Sequence, residues 1–160
     1  ARCTLRDQGG VSSHLRMQAG ESLERLHDAC ASGVLADVNA ALATHGESAA
    51  TAFSDPDDDG QTALHHACVS GSLPVVQFVL DRTPPGSCNT RDNHDMSPFH
   101  LACENGHLAL VQLLVARPDL DRNLRSSKRT SFFLASKHAF SEICALLERL
   151  EKEDAEKERG

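Results

Sequence analysis

One ten-residue pattern recurs along this chain, and its recurrence constrains the fold more than any other feature. Residues 62–71 read TALHHACVSG and residues 97–106 read SPFHLACENG. Residues 26–33 carry a shorter form, LHDACASG, and residues 130–139 a weaker one, TSFFLASKHA. A second apolar block follows each copy: Leu35, Val38 and Leu42; Leu73, Val76, Val79 and Leu80; Leu108, Val111, Leu113 and Leu114; Ile143, Leu146 and Leu147. Self-similar units of this length stack side by side, each burying its apolar face against its neighbours.

Each copy reads as two short helices. Thr62, Ser97 and Thr130 are suited to cap a first helix, because a side-chain oxygen can accept from the unpaired amides of the first turn. Pro98 then falls at the first helical position, where a missing N–H costs nothing. Gly33, Gly71 and Gly106 end the first helix. The apolar spacing in VVQFVL and LVQLLV marks the buried stripe of the second. Helix pairs are expected near residues 22–45, 63–82, 98–116 and 131–152, joined by loops or short hairpins. In the first copy Glu24 falls in the capping slot and Pro is missing; the fourth has Phe133 for His and Ala139 for Gly.

These residues resemble the ankyrin repeat, whose signature is T-P-L-H-x-A on a period of about 33 residues. The resemblance covers roughly residues 22–150 and amounts to four repeats, with divergent first and last copies. It implies an all-α solenoid of stacked helix-turn-helix pairs with short hairpin-like loops. Residues 1–21 are left as an unassigned N-terminal arm, and residues 151–160 as a charged tail.

Composition agrees. Aromatic residues make up 4% of the chain, with no Trp or Tyr, so the core must come from Leu, Val, Ala and Cys, which suits thin helical layers. The net charge of −7 argues against nucleic acid as a partner, because phosphate affinity comes from clustered Lys and Arg. The basic stretch Arg122, Arg125, Lys128 and Arg129 is too small to change that. No apolar run is long enough to cross a bilayer, so no membrane insertion is expected.

The tripled H-x-A-C (His27 and Cys30, His65 and Cys68, His100 and Cys103) could suggest metal ligands. Recurrence once per repeat spreads these residues along the stack, so a structural role is expected. The resemblance implies that the motif His ties neighbouring repeats by hydrogen bonds and that the Cys fills a small buried slot. Six unpaired cysteines fit a reducing compartment, cytoplasmic or nuclear. Cys88, in a loop, and Cys3, in the arm, are expected to be the accessible thiols. Cys88, His94, His100 and Cys103 match no common zinc frame. The acidic run Asp55–Asp59 lacks the twelfth-position Glu of a calcium loop, where His66 stands instead. No phosphate-binding loop, nucleophile elbow or H-E-x-x-H occurs. No catalytic, cofactor-binding or metal-ligating residue is assigned, and the chain is not expected to be an enzyme.

What the family does instead is bind another protein or peptide, across its loop fingers and the palm of its first helices. Slot by slot, this places the contact residues at Asp58, Asp59 and Gln61; Asn93, His94 and Met96; and Ser126, Ser127 and Arg129 on the fingers. On the palm they are Val69 and Ser70; Glu104 and Asn105; and Lys137 and His138, with Ala31 and Ser32 in the first copy. The chain is expected to act as an adaptor or scaffold, monomeric in isolation. The alternative is an ankyrin targeting or regulatory segment of a larger enzyme, holding its substrate or inhibiting a catalytic partner.

Overall fold

The computed structural model describes residues 9–45, 49–121 and 130–159. The described elements are helices, with no β-strand among them. In chain order they are α1 (Gly9–Ser32), α2 (Leu35–His45), α3 (Ala49–Ala52), α4 (Ala63–Ser70), α5 (Leu73–Leu80), α6 (Pro98–Glu104), α7 (Leu108–Val115), α8 (Ser131–Lys137) and α9 (Ser141–Arg159). Helices α1, α4, α6 and α8 pack successively as one layer, and α2, α5, α7 and α9 as the second.

Local chemistry sets the helix ends. The Ser97 hydroxyl accepts from the His100 amide, and that of Thr130 from the Phe133 amide. Gly33, Gly71 and Gly106 close the first helices at φ of 71°, 77° and 77°. Two of these glycines are required twice over. A Cβ on Gly71 would stand 2.5 Å from the His107 ring, and one on Gly106 would stand 2.5 Å from Phe140. The residue that follows a turn thus seats on the turn glycine of the repeat before: Ser72 on Gly33, His107 on Gly71, and Phe140, which follows Ala139, on Gly106. His107 donates Nε2–H to the Val69 carbonyl at 3.0 Å, and the Ser72 hydroxyl donates to the Gly33 carbonyl at 2.7 Å.

The core runs unbroken through the stack, from Leu26, Cys30 and Val38 through Leu64, Val76 and Val79 to Leu110, Leu114, Ile143 and Leu147. Leu113 is only half-buried; Leu110 and Leu114 fill the centre of α7.

Three expectations need correction. Glu24 is not a cap, because α1 begins at Gly9 and runs straight through it, taking in residues that the motif left in the arm. The long linker after the first repeat is not all loop. Its AATA segment forms α3, and the next residue, Phe53, is 1% exposed and meets Phe78 edge-on at 6.3 Å. Cys88 is not accessible either. It is fully buried in a 3-10 turn, Ser87–Asn89. That turn is held down by Asp119, whose carboxylate accepts from the Gly86 amide at 2.8 Å and whose carbonyl accepts from Asn89 Nδ2 at 2.7 Å.

Candidate functional site

The fingers are built from a carboxylate outward. Asp57 Oδ1 accepts from the amides of Asp59 and Gln61 at 3.0 and 2.7 Å. In the next repeat Asp92 Oδ1 does the same for His94 and Met96, at 2.9 and 2.8 Å. Both turns close by a backbone bond, Asp57 N–H to Gln61 O and Asp92 N–H to Met96 O. The two fingers are then laced together. Asn93 donates its amide to the Asp59 carbonyl at 2.9 Å and its side chain to the Asp58 carbonyl at 2.9 Å, while Gln61 Nε2 reaches Asp92 Oδ2 at 3.3 Å.

The motif histidines lie behind the fingers. His65 Nδ1 accepts the Thr62 N–H at 3.1 Å, which fixes the proton on Nε2, and Nε2–H points to the Met96 carbonyl at 3.3 Å. His100 Nδ1 accepts the Ser97 N–H at 3.3 Å and lies 2.7 Å from the Ser97 hydroxyl. His65 therefore ties its repeat to the next finger, as the resemblance implied. Burial, opposed by the Met96 carbonyl, holds its pKa below the ordinary value. His27 departs from this scheme. It is buried, stacks on His66 at 5.0 Å, and has no hydrogen-bond partner on either ring nitrogen.

Cys30, Cys68 and Cys103 are buried free thiols in the slot that follows each motif His by three residues. Burial pushes Cys30 and Cys103 up to about 12, and Cys68 higher still. Cys88 is pushed up to about 11 by burial and then by the Asp119 carboxylate. A thiol so held is a small apolar side chain, not a nucleophile.

The expected contact residues fall into two kinds. Asp58, Asp59, Asn93, His94, Val69, Asn105, Lys137 and His138 are exposed, as are Ala31 and Ser32. Gln61, Ser70, Met96 and Glu104 are half-buried. Several are engaged within the stack. The Ser70 hydroxyl donates to the Ala67 carbonyl, Asn105 Nδ2 donates to the Leu101 carbonyl, and His138 stacks on Phe140 at 5.9 Å. Ser126, Ser127 and Arg129 lie outside the described residues, as does Cys3. Motif reasoning missed Phe133, which is 49% exposed. Its slot is that of the buried His65 and His100, so position alone pointed the wrong way; its substitution for His was the one available clue. Val34 and Leu73 add exposed apolar surface at the entrances to α2 and α5.

A repeated helix pair, a capped first helix, a glycine turn and a carboxylate-built finger define a solenoid repeat. Ankyrin-repeat profiles cover most of its length: one for ankyrin repeats in three copies matches residues 10–92, and one for ankyrin repeats in many copies matches residues 79–135. The chain belongs to the ankyrin-repeat family. It is 37% identical over 67 residues to Rabankyrin-5 of Homo sapiens, a match that takes in 42% of this chain and 6% of that protein. The chain thus corresponds to a small part of that relative's length. Ankyrin repeats are in general protein–protein interaction modules. No helix among the described residues is long and apolar enough to cross a membrane.

Proposed function

We propose that this chain is an adaptor module that binds a partner protein or peptide across its fingers and first-helix palm. The observation that carries this reading is the lacing of the fingers by Asn93, which leaves Asp58, Asp59 and His94 exposed on a fixed frame. A surface ordered before binding loses little conformational entropy when a partner arrives. Exposed Val69 offers apolar contact beside Ser70 at the end of α4, and Glu104 and Lys137 give the palm opposite charges one repeat apart. Charge of this kind sets register and association rate more than affinity. The mechanism is complementarity of shape and charge, with no covalent step.

A regulatory or targeting role within a larger enzyme uses the same surface and differs only in what the partner is. The test is affinity capture with three forms of the chain. These are the parent, the palm variant Glu104→Ala/Lys137→Ala, and a control with Gln77→Lys/Gln112→Lys on the exposed side of the second helices. Partners held by the parent and the control but lost from the palm variant support the reading. Partners lost only from the control move the binding site to the other layer. Whether the captured partner is an enzyme, and whether its turnover changes on binding, separates adaptor from regulator.

A further inference from the structure

His27 occupies the slot of His65 and His100, yet its environment is different for a reason that lies in α1. In the later repeats the motif His stands three residues after a cap, and the cap's N–H goes to Nδ1. Helix α1 has no cap there, because it runs without a break from Gly9 to Ser32. The amide that would meet His27 Nδ1 is spent inside the helix. The ring is 4% exposed, and both of its nitrogens lack a hydrogen-bond partner. Burial above all, and then the neighbouring His66, holds its pKa below the ordinary value, opposed by Asp57 and the Asp55 backbone. Burying such a group without a partner is costly, so an orphan of this kind calls for an explanation.

Two further donors converge on it. Asp57 Oδ1 is used up by the finger turn, but Oδ2 faces inward, 2.8 Å from His66 Nε2 and 4.0 Å from His27 Nδ1. One ligand atom from each of the three residues lies within 4.8 Å of the others. The combination belongs to this seam. In the next repeat Asp92 Oδ2 is met by Gln61 instead, and Leu101 stands where His66 stands here. A cleft of about 300 Å³ opens beside the cluster, lined by Glu24, His27, Pro56 and Asp57–Asp59.

We propose that His27, Asp57 and His66 form a binding site for a divalent transition-metal ion of the zinc class, which clasps α1 to the finger of the following repeat. Two imidazoles and a carboxylate are a donor set that zinc accepts, with a fourth position left for water or an outside ligand. Hard cations such as magnesium prefer all-oxygen surroundings. Bonds of about 2.0–2.1 Å place tetrahedral ligands roughly 3.3 Å apart, so binding needs only small ring movements, His66 away from Asp57 and His27 towards it. The ion takes the place of the proton that His66 Nε2 gives to Asp57. Two of the three ligands, His27 and Asp57, line the cleft, and the carboxylates Glu24, Asp58 and Asp59 that line it with them add favourable charge.

The 160-residue chain, stripped with chelator and exchanged into metal-free buffer, is titrated with zinc chloride and with magnesium chloride, by calorimetry and by thermal melting. Zinc is expected to bind at one site and to raise Tm, and magnesium to do neither. His66→Gln is the decisive variant, because His66 is partly exposed and Gln keeps a donor for Asp57. It should melt near the parent in chelator, lose the zinc-induced rise and bind zinc at least ~10-fold more weakly. Asp57→Asn retains the turn acceptor and should also weaken zinc binding. Cobalt(II) in place of zinc should show tetrahedral bands without thiolate charge transfer. Absence of zinc binding by the parent overturns the proposal. So does unchanged zinc affinity in His66→Gln, or a thiolate band, which would place the ion on cysteine.

Discussion

Asp119 carries more of the second seam than a loop carboxylate ordinarily would. It holds the turn that buries Cys88, and it lies beside Arg117 with a nitrogen–oxygen distance of 3.0 Å. The Gly86 amide, and after it the Arg117 guanidinium, holds its carboxyl below the usual carboxylate range. A depressed folded pKa means that the unfolded chain binds the extra proton first. The contribution to stability is therefore complete above the ordinary value of about 4 and is lost as pH falls through the lower folded value. Asp119→Ala should cost about 1–3 kcal/mol at pH 7, and the gap to the parent should narrow below pH ~4. Urea unfolding at several pH values reads both, and a gap independent of pH would refute the linkage. Gly71 makes a different demand. Its φ of 77° disfavours a side chain and the ring 2.5 Å from a Cβ leaves no room for one, so Gly71→Ala should cost ~1–3 kcal/mol, measured the same way. Ala139 holds the corresponding turn at φ 59°, which shows that the conformation can be reached without glycine, at a cost.

At the scale of elements, the motif made most of the stack readable. Thr62, Ser97 and Thr130 each precede a first helix, and Gly71 and Gly106 each follow one, because caps and turn glycines are local chemistry that the chain writes directly. What escaped was tertiary. The start of α1 is hidden because GVSSHLRMQAGES has little apolar periodicity and no motif; its C-terminal part holds its place by packing on α2 and α4. Phe53 was hidden because a linker of Ser, Asp and Pro follows it, and only the fold brings Phe78 to its ring. The candidate site was half readable. Finger and palm slots follow from the repeat, but the engagement of Asn93 and Gln61 between fingers requires two repeats in register. The His27, Asp57 and His66 group spans three elements and matches no ligand spacing. Phe53→Ala should cost about 3–5 kcal/mol, through the cavity and the lost edge contact with Phe78. A cost below 1 kcal/mol in urea unfolding would mean that α3 does not pack on the stack in solution.

For the whole molecule, the layered order has one energetic consequence. Each repeat touches only its neighbours, so stability is close to a sum of repeat and seam contributions. The first seam has an unsatisfied buried imidazole, whereas the second has the His65 bond to Met96 and the Asn93 bonds to Asp58 and Asp59. Opening should therefore begin at the first seam, with α1 and α2 leaving while α4 to α7 remain paired. Hydrogen exchange read by mass spectrometry checks this: peptides of α2 should exchange before those of α6. The reverse order would place the weak point elsewhere.

The buried thiols turn that order into something chemistry can record. Cys30, Cys68, Cys88 and Cys103 are sealed at successive heights, and Cys144, half-buried on α9, stands partly outside the seal. An alkylating reagent can reach a sealed thiol only while its own layer is open. In the limit of fast reclosing, each labelling rate is the rate of a free thiolate multiplied by the fraction of time that layer spends apart. Five cysteines thus behave as a row of time-stamped locks, and one pulse of reagent, read peptide by peptide, yields an opening free energy for each layer. Cys144 should be stamped first and Cys30 next, with Cys68, Cys88 and Cys103 last and nearly together. If Cys88 were marked as early as Cys144, the Asp119 tether would not hold its turn closed.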